Sequence, residues 1–237
     1  MKVIGLIGGL SWESSALYYQ IVNQSVRERM GGLHSAKSLL YSFDFFEIEA
    51  LQHADRWDEA SARMIDAAQR LERGGADFFV ICSNTMHRMA DEVVAAVSIP
   101  LLHIADPTAE AIRAAGFERV GLLGTRYTME AEFYRGRLES QHGLTVLTPD
   151  EVSRAVVHRV IYEELVRGEV RSDSRAALQK VIAELVDQGA QCVILGCTEI
   201  TLLVKPEHSP VPVFDTTKLH AEAVVTFALA ESEGVLV

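Results

Sequence analysis

One stretch of this sequence occurs twice. Gly75-Ala76-Asp77-Phe78-Phe79-Val80-Ile81-Cys82-Ser83-Asn84-Thr85 aligns with Gly189-Ala190-Gln191-Cys192-Val193-Ile194-Leu195-Gly196-Cys197-Thr198-Glu199. Each copy reads as a helix end, a buried strand, and then a small nucleophilic side chain at the strand tip. The alignment sets Ser83 opposite Cys197 and leaves Cys82 one position out of step. Two further matches follow the same order. Residues 3–9 resemble 119–125, with Gly5 over Gly121 and Gly8 over Gly124, and Ile99-Pro100-Leu101-Leu102-His103 resembles Val211-Pro212-Val213-Phe214-Asp215. A strand followed by glycine is common, so one match carries little weight. Three in order, at nearly constant offset, point to a duplicated unit. A fold built from two like halves can bring two such tips to one cleft, where they approach one bound molecule from opposite faces.

Short apolar runs alternate with longer amphipathic segments along the whole chain. Strands are predicted over 3–7, 38–43, 78–82, 101–103, 120–123, 144–147, 192–195 and 211–214. Helices are predicted over 13–29, 57–73, 86–97, 107–115, 129–141, 153–167, 174–188 and 218–231. This alternation predicts an α/β fold of two pseudo-symmetric αβα Rossmann-like halves. Each half carries a mainly parallel sheet covered by helices. Ligands of such sheets bind outside the carboxyl ends of the strands, which puts the active site in the cleft between the halves. The first half is expected over 1–103 and the second over 104–214, with a C-terminal helix within 215–237 packing back on the first. No Pro/Gly/Ser-rich linker separates them.

The chain has 237 residues, 49% of them hydrophobic, which is enough for a substantial core. Its formal net charge of −11 carries none of the clustered basic footprint of a nucleic-acid binder. Any anion site must therefore be local. Cys82, Cys192 and Cys197 are odd in number and lack scaffold spacing, so neither a disulfide framework nor a metal site is expected. No apolar run is long enough to span a membrane. Residues 1–9 lack the length and cleavage site of a signal segment and read as a first buried strand. The expected setting is the cytoplasm.

Cys197 is the sharpest chemical candidate. It stands where a strand ends and a helix is predicted to begin, and amide N–H groups and a helix dipole there would favour a thiolate. The bland alternative is a buried, inert thiol. Ser83 holds the equivalent tip, and its alternative role is to cap a helix starting near Met86. Side chains alternate along a strand, so Cys82 should face away from Ser83 into the core, and Cys192 lies within a strand. Asn84, Thr85, Thr198 and Glu199 place donors and acceptors directly after the tips, as substrate ligands or as helix caps. Two helix N-termini there would make a carboxylate site. Gly8-Gly9-Leu10-Ser11 is a third strand-to-helix turn, and Gly124-Thr125 is its partner, with Thr125 and Thr128 as donors. It is neither a dinucleotide fingerprint nor a phosphate loop. His87 and His103 near the first tip suggest thiol–histidine chemistry, against the plainer reading of satisfied structural histidines.

Ser83-Asn84-Thr85-Met86-His87 and Gly196-Cys197-Thr198-Glu199, with Gly8-Gly9-Leu10-Ser11-Trp12-Glu13-Ser14 at the first turn, resemble the aspartate/glutamate racemase family. The likeness extends over essentially the whole chain and is strongest to the branch specific for L-aspartate and L-glutamate. The resemblance implies a racemase that needs no pyridoxal phosphate or other cofactor. Two thiols on opposite faces of the substrate Cα exchange its proton in that family, whose usual first motif is Cys-Asn-Thr. Ser83 departs from it, as the L-specific branch also does. The resemblance makes Cys197 the base for L-substrates. Ser83 then returns the proton, directly or through water, favouring the L-to-D direction. It further implies Leu10 (through its backbone) and Gln52 beside the substrate, with Asn84, Thr85 and Thr198 on the α-carboxylate. Arg126 and Lys205 are candidate cations for the side-chain carboxylate. A small-molecule amino-acid substrate and a homodimer are implied, without nucleic acid or membrane. The competing readings are a single-cysteine decarboxylase of the same superfamily and an amino-acid-binding protein with little turnover.

Overall fold

The computed structural model describes residues 1–230, so the last residue of the helix predicted over 218–231, and the rest of 215–237 beyond it, lie outside the described residues. The described residues divide into two compact units, one formed by Met1–Ile104 with 220–230, the other by Ala105–Leu219.

The first unit runs β1 (Ile4–Gly8), α1 (Trp12–Met30), β2 (Ser38–Ser42), α2 (Phe45–His53), α3 (Trp57–Arg73), β3 (Phe78–Ile81), a 3-10 turn at Thr85–Met89 and α4 (Ala90–Ala95). Its three strands are parallel in the order β2-β1-β3. β1 and β3 are buried at every position, as strands covered on both faces must be. Alternation splits their side chains between two clusters. Ile7, Phe79 and Ile81 pack with Ile48, Met64, Ala67 and Leu71 on one face. Ile4, Leu6, Phe78, Val80 and Cys82 pack with Tyr18, Val22 and Val26 on the other. Those three α1 residues recur every fourth position, one stripe of a helix. Ser11 caps α1 by accepting the Ser14 N–H at 3.3 Å, and Gly31 ends it at φ 75°. Each large aliphatic side chain so buried contributes roughly 1.5–3 kcal/mol.

The second unit runs α5 (Ala105–Ala114), β4 (Arg119–Gly124), α6 (Arg126–Glu130), α7 (Glu132–His142), β5 (Thr145–Leu147), α8 (Glu151–Arg159), α9 (Ser172–Asp187), β6 (Cys192–Gly196), α10 (Ile200–Leu203) and β7 (Val213–Asp215). Its sheet is parallel in the order β5-β4-β6-β7. The helix α11 (Thr216–Leu229) follows. From His220 on it groups with the first unit, where Ala221, Val224, Val225 and Ala228 join the cluster around Tyr18. The repeat is visible in the register: Gly5 pairs with Phe79, and Gly121 pairs with Val193. No described helix is long and apolar enough to cross a membrane.

Several segments differ from expectation. The strand predicted over 101–103 is a single parallel bridge, Phe79 to Leu101, because the chain turns within three residues into α5. α2 was not predicted. The helix predicted over 129–141 starts earlier and breaks at Ala131, whose ψ of 148° is extended. The helix predicted over 153–167 passes from α8 into a π-helical turn, Val160–Glu164. That turn brings the Glu164 carboxylate inward, where Arg159 donates at 2.9 Å and Ser174 at 2.5 Å. An inserted residue of this kind re-aims a side chain without ending the helical path.

One ion-pair cluster ties α5 to α7. Asp106 receives the Arg137 guanidinium through two bonds, at 2.6 and 2.7 Å, and the His142 ring at 2.9 Å. Burial pushes the Asp106 carboxyl up, but the hydrogen bonds from Arg137 and His142 outweigh it and hold the group below the ordinary carboxylate range. The folded chain thus binds this proton less readily than the unfolded one. The stabilisation is full above the unfolded value of about 4 and drains as pH falls through the lower folded value. Asp106→Asn is expected to cost about 1.5–3 kcal/mol at neutral pH and less in acid. Urea unfolding of both proteins across that range checks it, and a gap independent of pH would rule the linkage out.

Candidate active site

The first unit gathers its candidate residues at the carboxyl end of the β2-β1-β3 sheet. β1 ends in a turn that requires glycine: Gly9 has φ 71°, and a Cβ there would lie 2.2 Å from the Phe43 carbonyl. The Gly9 N–H donates to the Ser15 hydroxyl at 2.8 Å, which fixes the start of α1 against the strand. Leu10 follows, buried in the cluster that contains Ile48 and Met86. Gln52 is buried on α2 and directs its amide nitrogen to the Met86 sulfur at 3.0 Å. β3 stops at Ile81, and the Cys82 N–H still bonds Ile7 at 2.9 Å. The Cys82 side chain joins the opposite face of the sheet, and burial alone drives its thiol far above the ordinary range. Ser83 is half-buried at the tip, and Asn84 and Thr85 beyond it are buried. The Ser83 hydroxyl meets the Met86 N–H at 3.5 Å, so the capping role is present in a stretched form.

The second unit repeats the arrangement. Gly124 of β4 pairs with Gly196 of β6, and a Cβ on Gly196 would stand 2.9 Å from the Leu123 carbonyl. The glycines allow the two strand ends to run on side by side into Thr125 and Cys197. Thr125 caps α6, accepting the Thr128 N–H at 3.2 Å. Thr198 bonds the Thr217 hydroxyl at 3.1 Å, and Thr216 donates to the Leu195 carbonyl at 3.0 Å. The turn from β7 into α11 therefore braces the Cys197 tip from the side. Asp215 closes that turn by accepting the Thr217 and Lys218 N–H groups at 2.9 and 3.2 Å. Cys192 stays within the strand, its thiol pushed up to about 12 by burial.

The electrostatics at Cys197 reverse the expectation of a thiolate. The Cys197 thiol is buried and donates to the Glu199 carboxylate at 3.0 Å. Burial first, then the Glu199 charge and the bond to its carboxylate, raise the thiol well above its ordinary range. The backbone N–H groups of Glu199 and Ile200 pull the other way and are outweighed. The element after Cys197, α10, is four residues long, and the 3-10 turn after Ser83 is five. Neither has the length to build much of a macrodipole, which is why the helix-terminus argument fails here. The resting group is a neutral thiol with a proton acceptor already in place. Sequence reasoning assigned Glu199 to the substrate and missed this contact. The two-residue spacing across a turn was the available signal.

The structure thus brings Leu10, Gln52, Ser83, Asn84 and Thr85 to the end of one sheet, and Thr125, Cys197, Thr198 and Glu199 to the end of the other. Arg126 and Lys205 are both exposed, Arg126 opening α6 and Lys205 preceding a 3-10 turn. Among the described residues no group of three His, Cys, Asp or Glu side chains could hold a metal ion.

Comparison with known proteins places this geometry in context. The Asp/Glu/hydantoin racemase family matches residues 7–224. A Yersinia pestis protein assigned as an Asp/Glu racemase has a crystal structure similar to this one at TM-score 0.91. It shares 54% identity over 97% of this chain and 100% of its own. An aspartate racemase homologue from Pyrococcus horikoshii OT3 is similar at TM-score 0.83 and 34% identity, over 96% and 99% of the two chains. The broad specificity amino-acid racemase RacX of Bacillus subtilis (strain 168) is 25% identical over 233 residues, 96% of this chain and 99% of that protein.

Proposed function

This chain belongs to the Asp/Glu/hydantoin racemase family, whose racemases are isomerases, and from that premise we propose that it racemises aspartate or glutamate without a cofactor, favouring the L-to-D direction. The observation that carries the reading is the Cys197 thiol bonded to the Glu199 carboxylate at 3.0 Å at the end of β6. A Cα–H is a very weak acid, so its removal needs a strong, desolvated base and donors for the charge that develops on the α-carboxylate. Glu199 takes the thiol proton, and the Cys197 thiolate takes the Cα proton of the L-substrate. Asn84, Thr85 and Thr198 donate to the α-carboxylate as it gains enediolate character. The Ser83 hydroxyl returns a proton to the opposite face and regains one from water, and Glu199 gives its proton back to solvent. Atoms balance with no net uptake. The name of the Pyrococcus horikoshii relative supports an acidic substrate, and that of the Bacillus subtilis relative supports a wider range.

Proton NMR in deuterated buffer tests the reading, with L-aspartate, L-glutamate and L-arginine as separate substrates and chiral analysis of each product. Loss of the Cα signal with inversion for the two acidic substrates is the expected result. Exchange with L-arginine alone would sink the acidic assignment. No exchange with any of the three would sink the racemase reading, and carbon dioxide release from a malonate-type acid would then favour the single-cysteine decarboxylase.

A further inference from the structure

The His87 ring is 1% exposed, and each of its nitrogens meets the backbone. Nδ1 lies 2.7 Å from the Ser83 carbonyl oxygen, and Nε2 lies 3.2 Å from the Ile104 nitrogen. A carbonyl only accepts and a peptide N–H only donates. One protonation state satisfies both bonds, the neutral imidazole with its proton on Nδ1. The ring is wedged edge-on against His103, with centroids 4.4 Å apart, and against His220 at 6.0 Å. His220 is held in turn, its Nε2 donating to the Leu102 carbonyl at 2.9 Å and its Nδ1 2.7 Å from the Tyr18 hydroxyl.

This bonding explains the local backbone. In an α-helix the Ser83 carbonyl would accept the His87 N–H. That N–H instead bonds the Asn84 carbonyl at 3.2 Å, a 3-10 contact, and the imidazole takes the Ser83 carbonyl in its place. The helix predicted from residue 86 therefore opens as a 3-10 turn, Thr85–Met89, and α4 starts at Ala90. The Ser83 hydroxyl has a weak hold of its own, the 3.5 Å contact to Met86, so its direction is inherited from the backbone that His87 pins.

We infer that His87 is a positioning residue for the second half of the reaction: through the Ser83 carbonyl it sets the direction from which the Ser83 hydroxyl delivers its proton. The inference rests on the racemase reading above. It gives His87 no proton to transfer, since both nitrogens are committed to the backbone.

Two variants separate the bonds. An asparagine amide nitrogen falls where Nδ1 lies, so His87→Asn keeps a donor for Ser83 and loses Ile104. A glutamine amide falls where Nε2 lies, so His87→Gln keeps an acceptor for Ile104 and loses Ser83. The readout is the amount of D-aspartate formed per Cα proton lost from L-aspartate in deuterated buffer. His87→Gln is expected to lower that ratio by ~10-fold or more, within the 10²-fold that a 1 Å misplacement can cost, while exchange itself stays near wild type. His87→Asn is expected to hold the wild-type ratio. Equal loss of exchange and inversion in His87→Gln, or an unchanged ratio, would overturn the inference. If His87→Gln does not fold, His87→Asn decides: a held ratio supports the role, and a lowered one removes it. Wild type with no exchange would sink the racemase reading, and this role with it.

Discussion

With Cys197 replaced by alanine, loss of the Cα proton from L-aspartate is expected to fall by about 10²–10⁴-fold, the range that one positioned acid–base group supplies. The fold should survive, because removing one buried sulfur costs about 1 kcal/mol. Cys82→Ala and Cys192→Ala are the internal controls. Both thiols are buried in cores, and exchange in either variant should stay near wild type. The pH profile adds a second check. The Cys197 thiol is raised by burial and by Glu199, and the thiolate is the reactive form, so exchange by wild type should climb with pH through neutrality into the alkaline range. Full exchange in the alanine variant, measured by proton NMR, would remove Cys197 from the chemistry.

Ser83→Cys is expected to produce the largest gain. A serine hydroxyl is far less acidic than a thiol, whose ordinary value is about 8.5, so in the proposed reaction Ser83 would return a proton more readily than remove one. Under the proposed reaction, a cysteine in its place would supply a base for the D-enantiomer. Cα exchange of D-aspartate should rise by about 10²-fold, the lower bound for one acid–base group. The forward direction should change less, since Cys197 is untouched. The measurement is Cα proton loss from D-aspartate in deuterated buffer, with chiral analysis for the L-product. A D-to-L rate equal to wild type would mean that Ser83 does not face the substrate Cα, and the two-tip reading would lose its first tip.

Much of the fold is legible in the sequence because buried parallel strands are unmistakable apolar runs. β1, β3, β4 and β6 fall within a residue or two of their predicted ends, as does α3. α2 was hidden by its composition: Phe45-Phe46-Glu47-Ile48 has the aromatic and β-branched character of a strand. The signal that could have found it is the acidic cap, since Asp44 accepts the Phe46 N–H at 3.1 Å and Glu47 follows three residues on. The helix after Ser83 opens as a 3-10 turn for a tertiary reason. His87 takes a carbonyl that local propensity assigns to the backbone, and no window of sequence shows that Ile104 waits on its other side. At the second tip, the sequence sets Cys197 directly after the strand, where β6 ends, and the repeat sets Ser83 just beyond the end of β3. The protonation of Cys197 was not legible, because burial and a 3.0 Å approach are properties of the folded chain.

The pairing of Cys197 with Glu199 also bears on how this protein ages. Peroxide attacks thiolates, and the first step toward sulfenic acid is fastest at exposed, acidic cysteines. A cysteine that is 8% exposed and donates its thiol proton to a carboxylate offers an oxidant little to attack. The same carboxylate that gives the thiol its proton acceptor therefore acts as its preservative between turnovers.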